Sequence, residues 1–481
     1  MSTRKIGPNS LARLMGGWQR AGGKVPAYRQ IQQALRLLIL DGRLPIGVRL
    51  PGERHLAAVL GVSRTTVAAA YAELRELGFV VSRHGSGSIT RVPDLSRRMA
   101  EDAPDPSLME FSIAAPPAPK EIHAAYTGAL AKLPLYLPAP GYEPAGLSEL
   151  RQAIADRYAR RGVPTTPDEI LVTQGAQHGL VLTLGLLSRP GDQVVVDQPT
   201  YPKALDAIAN ASCRAIPVQL PPAGWDIELF AATLVQTGAR IGYLIPDFHN
   251  PTGRCMDEFS RAALAKCVAD RNCHLIVDET TVDLWLGQAP PPPVAKFDRG
   301  GKIISLGSMS KSYWGGMRIG WVRAHRDLVG AMALYRSTND MGGPLLEQLA
   351  ATILLQDEEK NLTERREQAR RQRDHLLGLL ERQFPDWTLE TPQGGLSIWV
   401  ELPIPVATAL ASEAREQGLR IAPGSRFSVD GALDRYLRLP FFMSEGDLDI
   451  AVERLGLAWE NVVQGKSRTT SVAPQDLTAA I

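Results

Sequence analysis

The stretch SLGSMSKSYWGGMRIGW, residues 305–321, sets Lys311 among small residues, with Arg318 close behind and glycines between them. A lysine in such a loop is ordinarily a solvated charge, and only partner residues elsewhere in the chain give it another role. Upstream, short apolar runs (EILVT, QVVVD, IGYLIP, HLIVDE) alternate with helical patterns. That alternation predicts an α/β domain over residues 111–465, with a mainly parallel sheet covered by helices on both faces. Ligands bind such sheets at the carboxyl ends of the strands, so the residues after each run matter most. LVTQGAQHGL opens a helix with Gly175, Ala176 and Gln177, where free amides and the helix dipole favour a phosphate. VVVDQPTYP ends near Tyr201, YLIPDFHNPTG brings Asn250, and LIVDETT brings Asp278.

The N-terminal end has a different character. Residues 1–92 hold 14 Lys and Arg against 4 Asp and Glu, a net +10, while the remainder of this 481-residue chain carries −8. A basic front on an acidic body points to a polyanionic partner for the front alone. Within it, PAYRQIQQALRLLIL spaces Ile31, Leu35 and Leu38 as one helix face. ERHLAAVL predicts a second short helix and GV a tight turn. SRTTVAAAYAELRELG predicts a third helix, with Ser63 as N-cap and Val67, Ala70, Tyr71 and Leu74 facing inward. This is helix-turn-helix order, and hydroxylated residues with an arginine at the start of the third helix suit a major groove and its phosphates. FVVSRHGSGSITRV then reads as two strands of a wing around Gly85 and Gly87, with Arg83 and His84 at its tip.

Residues 25–92 resemble the winged helix of GntR-type bacterial regulators. The resemblance implies that Arg49, Arg54, Ser63, Arg64, Thr65, Thr66 and Gly85 contact a double-stranded operator; Arg54 has the alternative of pairing with Glu53 or Glu73. Residues 93–110, rich in Pro, Asp and Ser, read as a linker, and residues 466–481 as a tail.

The order of elements from GAQ through Tyr201, NPTG and Asp278 to SxSK with GxRxG resembles the fold-type I aminotransferases, enzymes of pyridoxal 5′-phosphate. The resemblance implies Lys311 as the Schiff-base lysine, Asp278 at the pyridinium nitrogen, Asn250 at the phenolic oxygen and Tyr201 against the ring. Ser308, Ser310, Arg318 and the amides around Ala176 and Gln177 would hold the phosphate. In YLRLPFF, Arg438 falls in the pattern that binds a substrate carboxylate by a bidentate fork. One position departs from the pattern. Where the family commonly has a tyrosine, two or three residues after the aspartate, this chain has Thr280 and Thr281, which puts efficient transamination in doubt.

A GntR-like winged helix, a linker and an aminotransferase-like domain in that order resemble the MocR family of bacterial transcriptional regulators. The resemblance implies a DNA-binding regulator rather than an enzyme. Its cofactor-bearing domain would sense a small amine, an amino acid or a B6 vitamer, and would form a homodimer, commonly head-to-tail. A residual amino-transfer half-reaction is compatible with it. The alternatives are a working aminotransferase tethered to DNA and a cofactor-free dimerisation scaffold. No signal peptide or long apolar run is evident, so a cytoplasmic protein without a membrane partner is expected. The four cysteines, Cys213, Cys255, Cys267 and Cys273, match no zinc or CxxC spacing and are expected to be reduced core residues, with no metal.

Overall fold

The computed structural model describes residues 5–16, 26–40, 44–45, 47–83, 87–90 and 108–465. The chain divides into two compact units, Met1–Ala103 and Pro104–Ile481.

The first unit contains helices Pro8–Met15 (α1), Ala27–Leu40 (α2), Glu53–Leu60 (α3) and Arg64–Glu76 (α4), followed by strands Val80–Arg83 (β1) and Gly87–Thr90 (β2), paired antiparallel. Gly61, at a left-handed φ of 68°, ends α3 and turns the chain into α4 within a few residues. Ser63 caps α4 by accepting the Thr66 amide at 3.1 Å. Val67, Ala70, Tyr71 and Leu74 face inward and pack with Ile31, Leu35 and Leu38 of α2. Helix α1 has no counterpart in the sequence reading. It buries Leu11 and Met15 in this same core, while Lys5 bridges to Arg49 and the Ile6 amide donates to Arg49 O at 3.1 Å.

The second unit is built on a seven-stranded sheet of order β4-β10-β9-β8-β7-β5-β6: Ile170–Thr173 (β4), Gln193–Gln198 (β5), Arg214–Gln219 (β6), Ile241–Leu244 (β7), His274–Asp278 (β8), Ile303–Ser308 (β9) and Gly320–Arg323 (β10). All pairings are parallel except those of β10 with β4 and β9. The interior strands are apolar on both faces because helices cover both. Along β8, Leu275 and Val277 enter one core cluster and Ile276 the other, as the two-residue period of a strand requires. A second, five-stranded sheet has the order β11-β12-β14-β13-β3: Met109–Phe111 (β3), Thr388–Leu389 (β11), Ser397–Glu401 (β12), Leu419–Pro423 (β13) and Tyr436–Pro440 (β14). It forms its own core with the long helices Glu358–Gln383 and Glu445–Val463.

β3 corrects one boundary. It begins at Met109, inside the stretch read as linker, and pairs parallel with β13 from Leu419↔Met109 to Ile421↔Phe111. Three residues are too few to show an alternation in a Pro-rich context. The linker residues before 108, the tail from 466 and the wing-tip positions His84 and Gly85 lie outside the described residues.

Candidate functional site

Lys311 lies not in an open loop but on a single π-helical turn, Ser310–Trp314, separated from the end of β9 by Met309 alone. Such turns widen the helix locally and concentrate at functional sites. The Lys311 Nζ donates to Ala114 O at 2.7 Å. Burial, reinforced by the charge of Arg438 and opposed by Asp278, pushes its pKa down to about 8.

Asp278 closes β8 at the carboxyl edge of the sheet. Its Oδ2 accepts the Tyr243 hydroxyl at 2.7 Å and its Oδ1 the Thr280 amide at 3.0 Å. Burial raises the carboxyl pKa and these bonds oppose the rise. The register explains the pair. Tyr243 on β7 stands opposite Ile276, and Asp278 is two residues further on the same face, a diagonal within reach of a long side chain. Tyr201 immediately precedes the helix Pro202–Asn210; burial and then Asp278 push its phenol up to about 12.

Glycines shape the next group. Gly175, at φ 85°, caps the helix Ala176–Leu187, and a Cβ there would stand 3.1 Å from Arg318 Nη2. A Cβ on Gly320 would lie 2.5–2.7 Å from the Gly175–Ala176 peptide. Only glycine at 320 lets β10 run so close to the helix start, and that approach brings Arg318 beside it. Arg318 Nη2 donates to Gln174 O at 2.8 Å. Ser308 Oγ donates to Ser310 Oγ at 2.9 Å and accepts the Ser310 amide. A helix N-terminus, a guanidinium and paired hydroxyls make a ready anion cradle. The Gln177 side chain is turned away, donating to Lys203 O, so only its backbone is available.

Arg438 sits on β14, an interior strand, and is 1% exposed. It donates to Asn250 Oδ1 at 3.3 Å and to Ser112 O, and its guanidinium lies 5.0 Å from the Phe427 ring centre. Burial lowers its pKa to about 10. Among the described residues no carboxylate pairs with it, and its Nε has no partner. A buried cation without a counter-ion is costly unless something anionic completes it.

Thr281 donates to Asp247 O at 2.8 Å and lines a narrow cleft with Lys311, Asn250 and Ala114; Thr280 meets Asp278 with both its backbone amide and its side chain. The Cys267 and Cys273 side chains are buried, whereas Cys213 and Cys255 are half-buried.

On the first unit, Ser63 Oγ contacts the Thr65 and Thr66 hydroxyls at 2.7 Å each. Arg64 is exposed and its Nε donates to Glu53 Oε2 at 3.3 Å. Glu73 pairs with Arg29 at 3.7 Å, so neither acid holds Arg54, which is exposed. The Arg49 guanidinium lies over Gly87. Two residues escaped the sequence reading: Tyr243, which looked like one more apolar strand residue, and Glu53, considered only as a partner for Arg54.

The aminotransferase class I and II family matches residues 140–455, and the gntR family of bacterial regulatory proteins matches residues 27–89. The Bacillus subtilis protein named uncharacterized HTH-type transcriptional regulator YisV is 30% identical, over 89% of this chain and 95% of its own. The HTH-type transcriptional regulator TauR of Rhodobacter capsulatus is 26% identical over 86% of this chain and 92% of its own. Among solved structures, the α-aminoadipate aminotransferase LysN of Thermus thermophilus, complexed with N-(5′-phosphopyridoxyl)-L-leucine, superposes with a TM-score of 0.69 at 25% identity, covering 77% of this chain and all of that one. Fold and comparisons together define a DNA-binding regulator whose large domain is a pyridoxal 5′-phosphate domain of aminotransferase type. The chain belongs to the MocR family, in which a GntR-type winged helix is joined to such a domain.

Proposed function

We propose that this regulator holds pyridoxal 5′-phosphate on Lys311 and uses it to sense a small amine, an amino acid or a B6 vitamer. When bound, the cofactor supplies an aldehyde that condenses with a primary amine and a ring that draws electrons from it. The chain's residues supply the rest. Asp278 stands as the anion for the ring nitrogen, with Tyr243 orienting its carboxylate. Asn250 offers an amide to the ring's phenolic oxygen and Tyr201 a flat face. Ser308, Ser310, Arg318 and the amides of Ala176 and Gln177 form the phosphate cradle. Arg438 is the carboxylate clamp, and its burial without a counter-ion is the observation that carries the reading. It favours a ligand bearing a carboxylate. Arg49, Arg54, Ser63, Arg64, Thr65, Thr66 and the wing at Gly85 are the operator contacts.

A homodimer, head-to-tail, fits the large apolar residues that the large unit leaves exposed, Leu130, Leu135, Leu137, Tyr142 and Met341 among them. A residual amino-transfer half-reaction fits the retained lysine and aspartate, while steady turnover is disfavoured by the threonines at 280 and 281.

Borohydride reduction of cofactor-saturated protein followed by peptide mapping tests the reading. A pyridoxyl label on Lys311 is expected. Label on another lysine, or none, would overturn it.

A further inference from the structure

Three cations, Arg438 and Arg365 buried and Lys311 partly buried, converge on one short segment. Arg438 Nη2 donates to Ser112 O, Lys311 Nζ to Ala114 O at 2.7 Å, and Arg365 Nη2 to Pro117 O at 2.6 Å. The segment 112–117 carries no helix or strand of its own. It follows β3, which Arg420 ties down through Glu110 at 3.3 Å. Arg365 also donates to Tyr313 O, two residues beyond Lys311, at 2.5 Å, and its guanidinium lies 4.8 Å from the ring centre of Phe442. The carbonyls of alternate residues therefore occupy the two cations assigned to the cofactor and the ligand carboxylate, while Arg365 fixes the far end. Charge-assisted bonds of this kind are the strong ones, and a segment without backbone pairing depends on them.

We propose that residues 112–117 form a strap that ligands displace, so that occupancy of Lys311 and Arg438 is passed to the chain entering from the DNA-binding unit. This rests on the reading of Lys311 and Arg438 given above. Lys311 releases its ammonium proton to solvent, and its neutral nitrogen forms a double bond to the aldehyde carbon. The aldehyde oxygen departs as water with the two remaining amine protons. The amine then no longer donates to Ala114 O as an ammonium. A ligand carboxylate on Arg438 competes with Ser112 O for the same guanidinium. Both events loosen the strap, and Arg365 keeps its far end in place.

The exposed Ala115 offers a reporter position. A nitroxide on Ala115→Cys, in full-length protein with Cys213 and Cys255 replaced by serine, reads strap mobility by electron paramagnetic resonance. Pyridoxal 5′-phosphate is expected to mobilise the label. Pyridoxine 5′-phosphate, which fits the phosphate cradle but lacks the aldehyde, is expected to leave it unchanged. In Lys311→Ala, or Lys311→Met should the alanine variant fold poorly, the label is mobile from the start and unresponsive. A pyridoxyl group fixed on Lys311 with no change in mobility would overturn the strap and leave the cofactor reading standing. An unlabelled Lys311 would overturn both. Coupling between sites is reciprocal, so operator DNA must shift the same signal. A label indifferent to the operator would sever the strap from DNA binding.

Discussion

The Tyr243 hydroxyl donates to Asp278 Oδ2 at 2.7 Å, joining adjacent strands at the floor of the candidate cofactor site. Tyr243→Phe leaves a buried carboxylate oxygen short of a donor, a loss of about 1–3 kcal/mol in stability. The lost bond is one that opposes the burial-driven rise of the Asp278 pKa, so the pKa climbs further. The carboxylate form is then reached only at higher pH, and the pH profile of cofactor affinity shifts to the alkaline side. Cofactor titrations across pH, with a melting curve for each variant, check both effects; an unmoved profile would remove Tyr243 from the site.

Gly320→Ala places a methyl group against the Gly175–Ala176 peptide. The helix start must retreat and part from Arg318. Affinity for pyridoxal 5′-phosphate is expected to fall by roughly tenfold or more, equivalent to about 1.4 kcal/mol or one charge-assisted hydrogen bond. Equilibrium dialysis decides it.

Only the neutral amine of Lys311 attacks an aldehyde, and burial brings its pKa down to about 8. The rate of covalent capture is expected to rise about tenfold per pH unit below that value and to level off above it. Stopped-flow absorbance between acid and alkaline buffers shows the bend; a rise continuing to pH values typical of a free lysine would contradict the buried setting.

Arg64→Ala is expected to weaken operator binding by about 1–3 kcal/mol without altering the cofactor spectrum. Glu53 holds Arg64 at 3.3 Å, so Glu53→Gln frees the guanidinium and removes a negative charge. Binding to random DNA should strengthen while the preference for the operator narrows. Titrations at several salt concentrations separate the two, because the phosphate component falls steeply with salt.

Thr281 is buried and donates to Asp247 O, whereas Thr280 is only half-buried and turns its backbone amide and its hydroxyl to Asp278. Thr281→Tyr is therefore expected to lower the melting temperature, and Thr280→Tyr to be the better-tolerated swap. Of the two, Thr280→Tyr is expected to shift the absorbance titration of the bound cofactor and to speed amino transfer. Identical spectra across pH for both variants would show that neither position faces the phenolic oxygen.

Much of the site was readable because it lies in local motifs. The cap at Ser63, the helix start at Ala176 and the strand-end position of Asp278 are each dictated by a few neighbouring residues. Local pattern does not disclose which residues meet across strands. Tyr243 reads as strand filling until the β7–β8 register sets it diagonal to Asp278. Arg438, open to the reading of an edge-strand surface arginine, proves buried because β14 lies between β12 and β13. The π turn at Lys311 was equally hidden, as small residues are compatible with loop and helix alike.

The sequence by itself determined the two-part organisation, the basic DNA-facing unit, the α/β body and most of the residues around Lys311. These follow from periodicity, capping and charge, which act between near neighbours. Tertiary structure alone decided that carbonyls of Ser112, Ala114 and Pro117 rest on Arg438, Lys311 and Arg365, residues some two to three hundred positions away. Backbone carbonyls are the same in every residue, so no side-chain pattern marks which of them a buried cation will find.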